Sequence, residues 1–129
     1  MADLDNFKSV NDTYGHAAGD LVLKQFAEIL RVNTRKSNLC ARIGGEEFLL
    51  VLTHAEKEHV RIAISRVREQ LEAHKFEFGT RTLNVTASFG VSGWQGVRAP
   101  DFELLVSQAD SALYAAKRNG RNRIEFASL

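Results

Sequence analysis

Cysteine, proline, long apolar runs and an excess of charge of either sign are all scarce in this sequence, and most of these scarcities close off a class of function. A single cysteine, Cys40, in 129 residues rules out an internal disulfide. Set among apolar residues, it reads as a small buried hydrophobe rather than a nucleophile. No apolar run approaches the roughly 18 residues that suggest a membrane span, and no basic start leads into the apolar stretch of a signal peptide. Cytoplasmic placement with no direct membrane contact is therefore expected of this domain, and a membrane-anchored parent protein stays compatible with it. Seventeen basic residues against sixteen acidic ones give no field for a polyanion, so nucleic acid is not expected as a partner. Any phosphate chemistry has to come from local sites.

What is present is 44% hydrophobic and 26% charged residues, the composition of a globular chain rather than a disordered or fibrous one. The length suits one domain burying about two-thirds of its unfolded surface, and neither linker nor internal repeat interrupts it. From Gly19-Asp20 to Arg35, the residues Leu21, Leu23, Phe26, Ala27 and Leu30 recur at helical spacing, with Asp20 as a natural N-cap. Leu39 to Ile43 and Phe48 to Leu52 read as two strands joined by a tight turn at Gly44-Gly45-Glu46-Glu47. Further helices are expected over about Ala55 to Ala73 and over Asp101 to Arg118, the latter stopped by Asn119-Gly120. Lys75 to Gly79 and Thr82 to Trp94 read as extended. In the second of these, Val85, Ala87, Phe89 and Val91 alternate against Asn84, Thr86, Ser88 and Gly90. Arg123 to Phe126 supplies a last short strand. Together with a short extended segment at the start, this order gives an antiparallel-centred sheet with helices on one or both faces, the α+β class.

Three stretches carry chemistry. Asp3-Leu4-Asp5 places a carboxylate at the end of the first extended segment, with Lys8 five residues on. Glu46 and Glu47 sit side by side at a hairpin tip, where they repel unless solvent or a cation relieves them. If the first strand neighbours that hairpin, Asp3 and Glu46 supply hard oxygen ligands suited to Mg²⁺, which favours one or two carboxylates completed by substrate phosphates. The implied reaction is phosphoryl or nucleotidyl transfer. Lys117 and Arg121, four residues apart across a helix stop, are cations able to grip a triphosphate.

These stretches, the run from Asp3 through Asn11 and Gly15-His16 to Asp20, the signature Arg42-Ile43-Gly44-Gly45-Glu46-Glu47-Phe48, and Ala109 to Asn122, closely resemble GGDEF-domain diguanylate cyclases in order and separation. The resemblance implies a nucleotidyl-cyclase palm-like fold, a mostly antiparallel central sheet flanked by helices around a ferredoxin-like core. It implies the condensation of two GTP into cyclic di-GMP with release of two pyrophosphates. Position by position, Asp3, the Leu4 carbonyl and Glu46 match metal ligands for Mg²⁺ or Mn²⁺, and Glu47 is placed to assist the metal or a proton transfer. Asn11 and Asp20 match guanine contacts, Lys8 a residue that stabilises phosphate charge, and Lys117 with Arg121 the pair holding the β- and γ-phosphates. Because each half-site binds one GTP, a homodimer is expected for catalysis. By the same resemblance, residues 1–129 are expected to be one GGDEF domain lacking its N-terminal helix and part of strand one, hence less stable than an extended version. The inhibitory Arg-x-x-Asp motif of the family is matched by Arg35-Lys36-Ser37-Asn38, where asparagine replaces the carboxylate, so feedback by the product is expected to be weak.

Other readings stand beside these. Asp20 also reads as a plain N-cap, Asn11 and Asp12 as turn formers, Lys117 and Arg121 as complements to a helix dipole, and Asp3 as a solvated chain-end charge. His16, between a glycine and two alanines, reads as a structural hydrogen-bonder and is left out of the site. A domain of the same fold that only binds GTP or a protein partner is the alternative function. An RNA-binding sheet would want exposed aromatics and a basic face, and neither is evident.

Overall fold

The computed structural model describes residues 1–127. Its elements are β1 (Ala2–Leu4), α1 (Phe7–Tyr14), α2 (His16–Val32), β2 (Leu39–Gly44), β3 (Glu47–Val51), α3 (Lys57–Ala73), β4 (Phe76–Phe78), β5 (Arg81–Leu83), β6 (Ala87–Val91), α4 (Phe102–Arg118) and β7 (Ile124–Phe126). Five strands form one sheet in the order β2-β3-β1-β6-β7. Strand β1 runs antiparallel to both of its neighbours, and only β7 is parallel to the strand beside it. The α+β expectation of a mostly antiparallel sheet flanked by helices holds.

The two-residue period of the strands sorts their side chains between two helix layers. Ala2 and Leu4 of β1, Phe48 of β3, and Ala87 and Phe89 of β6 join Phe26 and Leu30 of α2 and Val67 and Leu71 of α3 in the main core. Phe26 meets Phe48 edge-on, with ring centroids 5.1 Å apart. Met1 and Leu49, one position out of phase, pack with Ala109 and Leu113 of α4. The same alternation assigns Asp3, Glu47, Ser88 and Gly90 to the α4 face. Helix α4 comes so close to β6 that a Cβ on Gly90 would lie 2.1 Å from the Ala109 carbonyl oxygen and 2.2 Å from the Leu113 nitrogen. Only glycine allows that approach.

Several expectations change. Asn11 and Asp12 are not turn residues: they lie within α1, a helix the sequence reading did not separate. Helix α2 begins at His16 rather than at Asp20, its N-cap position being Gly15 at a φ of 91°. The long extended region Thr82 to Trp94 is broken into β5 and β6, and β4 with β5 forms a small hairpin outside the main sheet. Trp94 lies beyond the end of β6 and is 43% exposed. Strand β1 lies at the centre of the sheet, where its three residues pair with β6 and two of them also with β3. Among the described residues, no helix is long and apolar enough to cross a membrane.

Candidate active site

The acidic cluster follows from register. Asp3 pairs laterally with Glu47 on one side and Ser88 on the other. The Leu4 amide donates to the Glu46 carbonyl at 3.3 Å, keeping the hairpin tip against the end of β1. Gly45, at a φ of 48°, takes the left-handed conformation that this turn needs, and Arg42 Nε donates to its carbonyl at 2.8 Å. Asp3 is only 6% exposed, so it is not a solvated chain-end charge. Burial pushes its carboxyl above the usual aspartate range, Glu46 and Glu47 push the same way, and Lys117 partly offsets them through an Nζ to Oδ1 contact of 2.9 Å.

This is a donor set of hard carboxylate oxygens carrying more negative charge than one lysine relieves, and it fits a divalent cation such as Mg²⁺. Among the described residues, no three acidic, histidine or cysteine side chains converge as a closed metal cage. A Mg²⁺ site completed by substrate phosphates needs no such cage.

The hairpin tip also borders a cleft of about 330 Å³, lined by Lys8 and Asn11 of α1, His16 and Asp20 of α2, and Arg42 and Glu46 of the hairpin, together with the apolar Phe7 and Leu23. Glu46 therefore borders the cleft, whereas Glu47 lies opposite Asp3. Asp20 is no N-cap, which leaves its carboxylate free to face a ligand. Close packing of the two helices sets Asn11: a Cβ on Gly19 would fall 1.8 Å from Asn11 Oδ1. His16, left out by the sequence reading, lines this cleft one helical turn before Asp20. Their four-residue spacing puts both on one face of α2 once the helix begins at His16.

The cations at the far end of the chain divide. Lys117, in the last turn of α4, reaches Asp3, while Arg121 sits exposed in the α4–β7 connection at a φ of 65°. The structure thus brings Lys8, Asn11, Asp20 and Glu46 together around the cleft, and Asp3 and Lys117 together beside the Glu47 strand position. In the Arg35-Lys36-Ser37-Asn38 stretch, Asn38 Oδ1 accepts from the Thr53 amide at 3.2 Å, bridging the open end of the β2–β3 hairpin. Cys40 is half-buried, and burial raises its thiol above the usual range, as suits a packing role.

A family model described as diguanylate cyclase, GGDEF domain, matches residues 1–123. The chain is 41% identical over 129 residues to diguanylate cyclase A of Treponema denticola, covering 96% of this chain and 33% of that protein. Among solved structures, the diguanylate cyclase SiaD of Pseudomonas aeruginosa, in complex with its activator SiaC, shares 40% identity at a TM-score of 0.90, over 98% of this chain and 48% of that one. The active GGEEF domain of a diguanylate cyclase from Vibrio cholerae shares 34% identity at a TM-score of 0.89, over 99% of this chain and 80% of that one. The chain spans a third or less of the curated relatives it matches.

Proposed function

The chain belongs to the GGDEF domain family, and from that premise we propose that it is the catalytic part of a diguanylate cyclase, joining two GTP molecules into cyclic di-GMP with release of two pyrophosphates. The observation that carries this reading is the meeting of a polar cleft and an acidic cluster at one hairpin tip. A cleft bordered by Lys8, Asn11 and Asp20 shares Glu46 with the buried acidic edge formed by Asp3 and Glu47.

The chain's own residues divide the work. Asn11 offers an amide and Asp20 a carboxylate, suited to the acceptor and donor edge of guanine, whereas adenine reverses part of that pattern. Lys8 offsets charge on the phosphates at the mouth of the cleft, and Lys117 and Arg121 hold the β- and γ-phosphates. Asp3, the Leu4 carbonyl and Glu46 would hold Mg²⁺ or Mn²⁺. When bound, that ion offsets charge at the attacked α-phosphate and increases the acidity of the 3′-hydroxyl. Glu46, or a water beside it, accepts the hydroxyl proton, and Glu47 assists from the neighbouring strand position. One chain binds one GTP, so two chains face each other as a homodimer and each 3′-hydroxyl attacks the α-phosphate on the partner.

The test is incubation with GTP and Mg²⁺, following cyclic di-GMP and pyrophosphate. Product is expected from the chain, and Glu46→Gln, which keeps shape and removes charge, is expected to lower the rate at least about a hundredfold, the scale of a lost catalytic group. Cyclic di-GMP made at an undiminished rate by Glu46→Gln sinks the role given to Glu46. GTP binding without any product favours the alternative of an inactive GTP-binding module.

A further inference from the structure

Asp5 has no part in the roles assigned above, yet it is among the most constrained side chains of the molecule. It lies one position beyond β1 and is 4% exposed. Its Oδ1 accepts from the Ser88 hydroxyl at 2.7 Å, and its Oδ2 accepts from the Thr86 hydroxyl at 2.7 Å and from the Asn122 backbone amide at 3.0 Å. Its own amide donates to the Thr86 carbonyl at 2.9 Å. Two hydroxyls and an amide all present donors, and a carboxylate, acceptor-only with two oxygens, answers all three.

The third of those donors belongs to the α4–β7 connection. There Gly120, Arg121 and Asn122 hold φ values of 123°, 65° and 47° in succession. Left-handed backbone is unfavourable for a residue with a Cβ, and it persists only where the surroundings over-determine it. Three restraints do so here. The Arg121 amide donates to the Ala116 carbonyl at 3.0 Å, continuing the end of α4. The Asn122 side chain accepts from Arg68 at 3.0 Å and donates to Glu72, both on α3. Asp5 takes the Asn122 amide from the side of β1.

We propose that Asp5 is a positioning residue for Arg121, its carboxylate clamping the left-handed Arg121-Asn122 backbone to the end of β1 so that the guanidinium is held where the substrate phosphates lie. The inference rests on the reading of Arg121 as a phosphate-binding residue. The strand that carries Asp3 thus also fixes, through Asp5, a cation from the opposite end of the chain.

Asp5→Asn keeps one acceptor oxygen but sets an amide group against one of the donors. Two measurements separate the clamp from the site. Without nucleotide, hydrogen exchange at the Asn122 amide is expected to quicken about tenfold in Asp5→Asn, the worth of a hydrogen bond to a charged group; unchanged exchange overturns the clamp. In calorimetric titrations with Mg²⁺, Asp5→Asn is expected to weaken GTP about tenfold and to leave GMP, which lacks β- and γ-phosphates, unchanged. In an Arg121→Ala background the same substitution is expected to add nothing. Equal losses for GTP and GMP, or full additivity with Arg121→Ala, show a merely structural aspartate and overturn the proposal. If Arg121→Ala alone leaves GTP affinity intact while exchange still quickens, the phosphate role of Arg121 fails and the assignment of Asp5 to it fails with it, the clamp standing as structure only. Should Asp5→Asn not fold, Ser88→Ala removes one of the three donors and is read by the same criteria, with GTP weakened in preference to GMP.

Discussion

Asp3 stands where burial works against its own charge. Its folded-state carboxyl lies above the ordinary value of 3.8 because desolvation and the neighbouring Glu46 and Glu47 outweigh Lys117. Between the unfolded value and that raised folded value, the folded chain holds a proton that the unfolded chain has released, so stability falls as pH rises through the window. In EDTA, Asp3→Asn is therefore expected to melt no higher than the parent at acid pH near the ordinary aspartate value, and higher than it at neutral pH. Thermal melts across that range check the sign. Added Mg²⁺ is expected to narrow the neutral-pH difference, because a cation stabilises the parent alone. Gly19 gives a second residue-scale prediction. Gly19→Ala improves helix propensity by about 1 kcal/mol but puts a methyl where Asn11 Oδ1 lies. The melting temperature is expected to hold or rise while GTP affinity, by calorimetry, drops about tenfold or more from the loss of one hydrogen-bonding side chain. Asn11, Asp20 and Glu46 could be singled out as candidates because motif and spacing survive in one dimension, and the fold brings them to one cleft. Asp5 was not, since its partners Thr86, Ser88 and Asn122 are brought to it only by the sheet and the α4–β7 connection.

Elements of long, clean period were readable: α3, α4 and the β2–β3 hairpin fall within two residues of where the pattern puts them. Helix α1 was missed because it is eight residues long with two buried side chains, Phe7 and Val10, too little for a period to declare itself. Strand β6 was found, but its polar-looking phase does not face water. Ala87, Ser88, Phe89 and Gly90 are all buried, because helices cover both faces of the sheet and small residues are what α4 tolerates. Gly90 is the strictest of these positions. The three atoms nearest to a Gly90 Cβ are all backbone of α4, at 2.1, 2.2 and 2.8 Å, and backbone cannot swing aside as a side chain can. Gly90→Ala is expected to cost about 3 kcal/mol, the upper end of overpacking, read as a lowered urea midpoint with an unchanged slope. A loss under about 1 kcal/mol would show that α4 shifts freely on the sheet.

For the whole molecule, the question is how output is regulated. The Arg35 to Asn38 stretch keeps a cation and lacks the family's carboxylate, and Asn38 already spends its carbonyl oxygen on the Thr53 amide. A hydrogen bond to a charged group is worth about 1.5 to 3 kcal/mol, so cyclic di-GMP is expected to bind this surface about ten- to a hundredfold more weakly than a carboxylate-bearing counterpart. Titration of cyclic di-GMP checks this, with Asn38→Asp expected to tighten binding. Tight binding by the parent that Arg35→Ala abolishes would mean that asparagine suffices. The contacts around the candidate acidic cluster join distant parts of the sequence: Lys117 to Asp3 across 114 positions, and Asn122 to Asp5 across 117. A ribosome delivers residues in order, at about 5 to 20 per second. The central strand therefore leaves the exit tunnel with no partner, and its neighbour β6 and the cations of α4 follow only seconds later. In a growing chain Asp3 and Asp5 therefore wait for Lys117 and Asn122 to emerge before their contacts can form.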